Sequence, residues 1–210
     1  MTTLVVDLDG TIIKSTKRHY LLLKKLLQDN DATITFSSQD YLRYKRNGFT
    51  NYVFLTKKLN VEPQLAEKIQ KAWIKDIESP KWIATDTLYS DATRFLNKVK
   101  QKGFDIIFLT ARQKQKNLHK ELEDLNLSTF PKQVIVVQKD KTNAFRNIPD
   151  NPKIMIGDTE VDYEAANNSN AVSFILGRGL RSPRFLHNIG VNKVYDNLDE
   201  IILEICDIYH

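Results

Sequence analysis

From Leu88 onward the chain alternates between two hydrophobic periods, and this alternation limits its fold more than any other feature. The segment "SDATRFLNKVKQKG" carries a helical stripe closed by Gly103 and is followed by the apolar run "FDIIFLT". "QKQKNLHKELEDLN" is again helical, and "QVIVVQ" again a continuous apolar run. A short helical piece after Asp140 leads to "KIMIGD", a helix from Thr159, and then "AVSFIL". Strands that are apolar throughout are buried on both faces, and helices between them supply the cover. The pattern predicts an α/β fold, a doubly wound parallel sheet. The opening run Leu4 to Leu8 supplies a further strand.

Between that strand and the alternating part lies a different kind of sequence. "RHYLLLKKLLQD" has a stripe through Tyr20, Leu23, Leu26 and Leu27. "SSQDYLRYKRNG" has a Ser/Asp start and a Gly48 stop, and "EPQLAEKIQKAWIKDI" carries Leu65, Ile69, Trp73 and Ile77 at helical spacing behind Pro63. The chain therefore divides into an α/β core of residues 1–14 and 86–210 and a helical insertion of residues 15–85. The insertion holds 13 Lys/Arg against 7 Asp/Glu, so the whole positive balance of the chain, +5, resides there. Such a surplus serves solvated helix faces or attracts anions. With 41% hydrophobic and 27% charged residues the composition is that of a soluble protein. No apolar run has the length of a membrane span and the first residues lack a signal-peptide pattern, so a cytoplasmic protein is expected. The single cysteine, Cys206, excludes an internal disulfide or a cysteine-built zinc site and belongs to the apolar stripe "LDEIILEICDIY".

Ligands of doubly wound sheets bind beyond the carboxyl ends of the strands. The residues there are Asp7 and Asp9, Thr110, the Lys139–Lys141 region and Asp158. Asp7 and Asp9 stand one residue apart, so a strand directs both to one face, where two negative charges repel unless a cation or a task compensates. Gly10 allows the backbone to turn behind them, and Thr11 can satisfy loose backbone groups.

"DLDGT" (7–11), "FLTAR" (108–112), a lysine in "KDKT" (139–142) and "GDTEVD" (157–162) resemble, in order and placement, the four motifs of the haloacid dehalogenase-like hydrolase superfamily. The inserted helices resemble that superfamily's C1-type cap. The resemblance implies that Asp7 is a nucleophile forming an aspartyl-phosphate, with Mg²⁺ as cofactor to bridge two anions that would otherwise repel. Asp7 and Asp158 are then metal ligands through their side chains and Asp9 through its backbone carbonyl, with Asp162 supporting a ligand or a metal-bound water from behind. Asp9 would protonate the leaving oxygen and then activate water, which points to phosphate esters rather than halides. Thr110, with its hydroxyl, and Ala111, with its amide, would bind phosphoryl oxygens, and a lysine would neutralise charge in the transition state. Both Lys139 and Lys141 qualify. Lys141 is preferred, because "DKT" puts it at a helix start and resembles deoxyribonucleotidase-type members.

"DLDGT" with Ser15 four residues on, and "GDTEVD" followed by Ala165 and Ala166, most resemble phosphoglycolate phosphatase-like members, although only 17 positions separate Lys141 from Asp158. The expected partner is a small anionic phosphorylated metabolite. A nucleic-acid substrate fits a closing cap poorly, and a non-catalytic module or a mutase has less support still. Tyr41, Tyr44, Phe49, Tyr52 and Phe54 alternate with Arg43, Lys45 and Arg46, a pattern of inward-packed aromatics before it is one of a binding pocket. Within it "RNGFT", with Arg46, Gly48 and Phe49, is expected nearest the substrate. Arg112 is expected in a salt bridge at the cap interface. His19, His119, His187 and His210 show no ligand spacing, and "GRGLRSPR" (177–184) is either a basic loop or a source of positive charge near the site.

Overall fold

The computed structural model describes residues 2–32, 34–137, 140–149 and 153–208. Its centre is a six-stranded sheet in the order β5-β4-β1-β6-β7-β8, with every pairing parallel. The strands are β1 (Thr3–Val6), β4 (Asp105–Thr110), β5 (Gln133–Val136), β6 (Lys153–Gly157), β7 (Val172–Leu176) and β8 (Val194–Tyr195). β1 sits between β4 and β6, with Val6 opposite both Phe108 and Ile156. The strand order reverses about β1, so the space beyond its carboxyl end lies between loops that diverge, which is where such sheets bind ligands.

Alternation along β1 shows why the sheet is covered twice. Leu4 and Val6 join one buried cluster with Phe95 and Leu96 of α6 (Ala92–Gln101), Leu118 of α7 (Gln115–Asp124) and Ile201 of α11 (Leu198–Ile208). Val5 joins another with Phe145 of α8 (Lys141–Arg146) and Ala165 and Ala166 of α9 (Glu160–Asn167). Each large apolar side chain fully buried in this way contributes about 1.5–3 kcal/mol.

The intervening helices are α1 (Thr16–Gln28), α2 (Ser38–Arg46), α3 (Asn51–Val53) with a π-helical turn over Phe54–Lys58, α4 (Pro63–Asp76) and α5 (Pro80–Ile83). They enclose a cluster of their own built on Leu22, Leu23, Tyr41, Phe54, Leu55 and Ile69. Chain exit and re-entry are tied by an antiparallel ribbon, β2 (Ile13–Lys14) on β3 (Thr87–Leu88). At two residues each, β2, β3 and β8 are too short to show a strand period in the sequence. The remaining helix, α10 (Pro183–Asn188), follows the loop after β7. Among the described residues no helix is long and apolar enough to cross a membrane.

Candidate active site

Asp7 directly follows β1 and Asp158 directly follows β6, so neighbouring parallel strands deliver both carboxylates to one place. Lys141 opens α8, whose preceding Asp140 accepts a hydrogen bond from the Asn143 amide at 2.8 Å. The Lys141 ammonium lies 2.5 Å from Asp7 Oδ1 and 2.6 Å from Asp162 Oδ1. Asp162 accepts on its other oxygen from the amides of Asp158 and Thr159, at 3.2 and 3.0 Å, and from the Thr159 hydroxyl at 2.8 Å. It thereby caps α9 while holding Lys141. Asp158 accepts from the Leu180 amide at 2.5 Å and from the Thr11 hydroxyl at 3.4 Å. Gly10 turns at φ +90° behind Asp7, and a Cβ there would collide with the Asp158 carboxylate.

Asp7, Asp158 and Asp162 each bring one carboxylate oxygen within 4.8 Å of the others, all buried. Burial pushes the Asp7 carboxyl up to about 7 against the pull of Lys141, with Asp162 adding to the rise. Burial likewise raises Asp158 well above the usual carboxylate range, reinforced by Asp7 and Asp162. One ammonium thus leaves this cluster with uncompensated negative charge, and its donors are the hard oxygens that Mg²⁺ prefers. The residues fit a divalent cation.

Asp9 is built differently. Its carboxylate takes no part in the acidic cluster and is gripped by two arginines. Arg112 donates to it from Nε at 2.6 Å and from Nη2 at 3.0 Å, and Arg18 of α1 from Nη2 at 2.6 Å. Burial opposes its charge, but Arg112 and then Arg18 outweigh that and hold the carboxyl far below its ordinary range. Arg112 also pairs with Glu121 of α7, and Arg18 lies 3.3 Å from Asp86, just before β3. Arg112 therefore pairs with Asp9, Asp86 and Glu121, all within residues 1–14 and 86–210, and lines the cavity, whereas a salt bridge at the cap interface was expected.

A cavity of about 350 Å³ opens over this ground, and Asp7, Asp9, Thr110, Ala111 and Lys141 line it together. Thr110 is buried at the end of β4, its hydroxyl accepting from the Arg112 amide at 3.4 Å. Lys139 lies outside the described residues, as does His210. Arg46, Gly48 and Phe49 do not line the cavity, which corrects their expected place nearest the substrate. Arg46 instead donates to the Gly177 carbonyl, Gly48 packs against Phe185 at φ +82°, and Phe49 is exposed. The turn that Gly48 permits serves the seam with the 177–185 loop. Tyr41, Tyr44 and Phe54 pack on one another and on Phe36, the inward arrangement. The residues that do close the cavity from the insertion include Arg18, His19, Trp73 and Ile77. The apolar stripe named Trp73 and Ile77 as helix-face residues, and nothing in its spacing separated cavity wall from core. Cys206 is half-buried at the edge of the main cluster. In the 177–184 loop the Leu180 amide binds Asp158, while Arg178 and Arg181 are paired with Asp91 and Glu160.

A sequence model of the haloacid dehalogenase-like hydrolases matches residues 1–170. No curated protein matches the chain. Among solved structures, a "predicted phosphatase" from Clostridium acetobutylicum superposes with a TM-score of 0.73 at 21% identity, covering 98% of each chain. A haloacid dehalogenase-like family hydrolase from Streptococcus pneumoniae gives 0.76 at 16% identity, again over 98% of each chain. A "predicted phosphoglycolate phosphatase" from Haemophilus somnus gives 0.68 at 13% identity over 97% of each. At these identities the likeness is one of fold.

Proposed function

Because the chain belongs to the haloacid dehalogenase-like hydrolase family, we propose that it is a Mg²⁺-dependent phosphatase of small phosphate monoesters that works through an aspartyl-phosphate. The observation that carries this reading is the convergence of Asp7, Asp158 and Asp162 beyond the carboxyl ends of β1 and β6, with Lys141 paired to Asp7 and Asp162. Asp7 and Asp158, with the Asp9 carbonyl, would hold Mg²⁺, which when bound offsets the charge of the phosphate and of the attacking carboxylate.

The chain's own groups then divide the work. An Asp7 oxygen bonds to phosphorus as the bond to the leaving oxygen breaks. The Thr110 hydroxyl and the Ala111 amide orient phosphoryl oxygens, and Lys141, kept cationic by Asp162 and Asp7 against the effect of burial, balances the charge they gain. Asp162 fixes Lys141 and the Asp158 loop. Asp9 gives a proton to the leaving oxygen and later takes one from the water that hydrolyses the aspartyl-phosphate. The grip of Arg18 and Arg112 favours its ionised form, the one suited to the second half. The first half calls for the protonated form, which the negative phosphate arriving beside Asp9 favours. The substrate is a small anionic metabolite, in keeping with the cavity of about 350 Å³.

Phosphate release from a panel of small monoesters, with and without Mg²⁺, tests the reading. Release that needs both Mg²⁺ and Asp7, judged against Asp7→Asn, is the expected result. Release unaffected by Asp7→Asn would overturn it.

A further inference from the structure

The cavity also limits what the phosphate can be attached to. Beyond the groups assigned to the phosphoryl end, its wall includes an apolar part: Trp73 of α4 and Ile77 just after it, with Val161 and Leu180 from the core. The Trp73 indole N–H donates to the His19 carbonyl at 3.3 Å, and the His19 ring meets the indole edge-on at 5.2 Å. Trp73 is thus fixed in the wall, with Lys45 Nζ 5.8 Å from its ring centroid. The His19 Nδ1 is buried without a hydrogen-bond partner, and His19 lines the cavity. Burial, and next Arg18, hold this imidazole neutral at pH 7.

Charge points the same way. Among the described residues, every cation lining the cavity is already engaged by carboxylates: Lys141 by Asp7 and Asp162, Arg112 by Asp9 and Glu121, Arg18 by Asp9. The Arg18 nitrogens that lack hydrogen-bond partners, Nε and Nη1, are sealed from the free space. Glu78 adds a further carboxylate to the wall, held by the amides of Gln113 and Lys114. A second anion on the substrate would be desolvated here among lining cations that already serve carboxylates.

Building on the phosphatase reading, we propose that the leaving group is uncharged, with an aromatic or apolar face that packs on Trp73 and at most a hydroxyl for His19. A carboxylate-bearing leaving group such as glycolate is rejected. This goes against the substrate in the name of the Haemophilus somnus structure.

Three esters of primary alcohols separate the outcomes: benzyl phosphate, 2-hydroxyethyl phosphate and phosphoglycolate. The expected kcat/KM for benzyl phosphate exceeds that for phosphoglycolate by about a hundredfold or more. Trp73→Ala should raise KM for benzyl phosphate by a larger factor than KM for phosphoglycolate. Phosphoglycolate as the best of the three overturns the inference, and so does an equal loss on all three in Trp73→Ala. Binding of 2-phenylethylphosphonate and 3-phosphonopropionate to the intact Mg²⁺-loaded chain, followed by tryptophan fluorescence, needs no turnover. Preference for the phenyl compound supports the inference even if no ester is hydrolysed, a result that would sink the phosphatase reading alone. Preference for the carboxylate, or binding of neither, sinks the inference.

Discussion

Three buried carboxylates lie close together and only Asp7 and Asp162 are paired with Lys141, which is the basis of the proposed cation site. Lys141→Met should lower phosphate release by about 10²–10³-fold, the range found when one preorganised donor to a developing oxyanion is lost. Lys141→Arg should not restore it, because a planar fork cannot reproduce a point charge held between two carboxylates. The proposed metal dependence has a steric counterpart. A Cβ on Gly179 would strike the Asp158 carboxylate and the Gly10 carbonyl, so Gly179→Ala must displace a proposed ligand. Mg²⁺ titrations of the melting temperature should show affinity reduced by about 10–100-fold in that variant, as for loss of other groups that orient a ligand. Unchanged affinity would remove Asp158 from the metal site.

At the scale of elements, the continuous apolar runs made β1, β4, β5, β6 and β7 legible, and with them the strand ends that deliver Asp7, Thr110 and Asp158. Lys141 was legible too, because Asp140 marks a helix start. What the sequence could not show depends on contacts between distant segments. His19 and Trp73 carry the same helical spacing as their neighbours Leu23 and Ile69, yet the first pair lines the cavity and the second lies in the core. Gly48 does form the tight turn its identity suggests, but the space it leaves is filled by Phe185. Arg18 is the clearest case: beside Lys17 at the helix start stands a residue only 2% exposed that reaches Asp9 from α1. Since Arg18 and Arg112 together orient Asp9, Arg18→Met should slow hydrolysis of an alkyl phosphate more than that of p-nitrophenyl phosphate, by on the order of tenfold. An aryl leaving group needs little protonation, so equal slowing of both would mean that Arg18 only seats the helix.

Over the whole molecule, the insertion is fastened to the core at a second place, far in sequence from the β2–β3 ribbon. Ser182 donates its amide to the Arg46 carbonyl at 2.8 Å, Arg181 reaches the Lys45 carbonyl at 3.2 Å, and Arg181 pairs with Glu160. Lys45 stands over Trp73 at this seam, and burial, followed by repulsion from Arg181, lowers its pKa to about 8 although Glu160 pulls the other way. Between about pH 8 and the unfolded value of 10.5 the folded chain therefore binds fewer protons at Lys45 than the unfolded chain. Its contribution to stability must rise with pH across that window and is unfavourable below it. Denaturant melts should show this slope in the native chain and its loss in Lys45→Met, which should also be the more stable of the two at pH 7. A slope that survives the substitution would assign it to another group.

The central claim is that Asp7 becomes covalently phosphorylated during turnover. Acid-quenching the Mg²⁺-loaded chain during hydrolysis of its best ester, followed by mass spectrometry of the peptide containing Asp7, tests it most directly. The account predicts one added phosphoryl group on Asp7, lost on hydroxylamine treatment and absent from Asp7→Asn. Steady turnover with the label on another residue, or in Asp7→Asn, would contradict it.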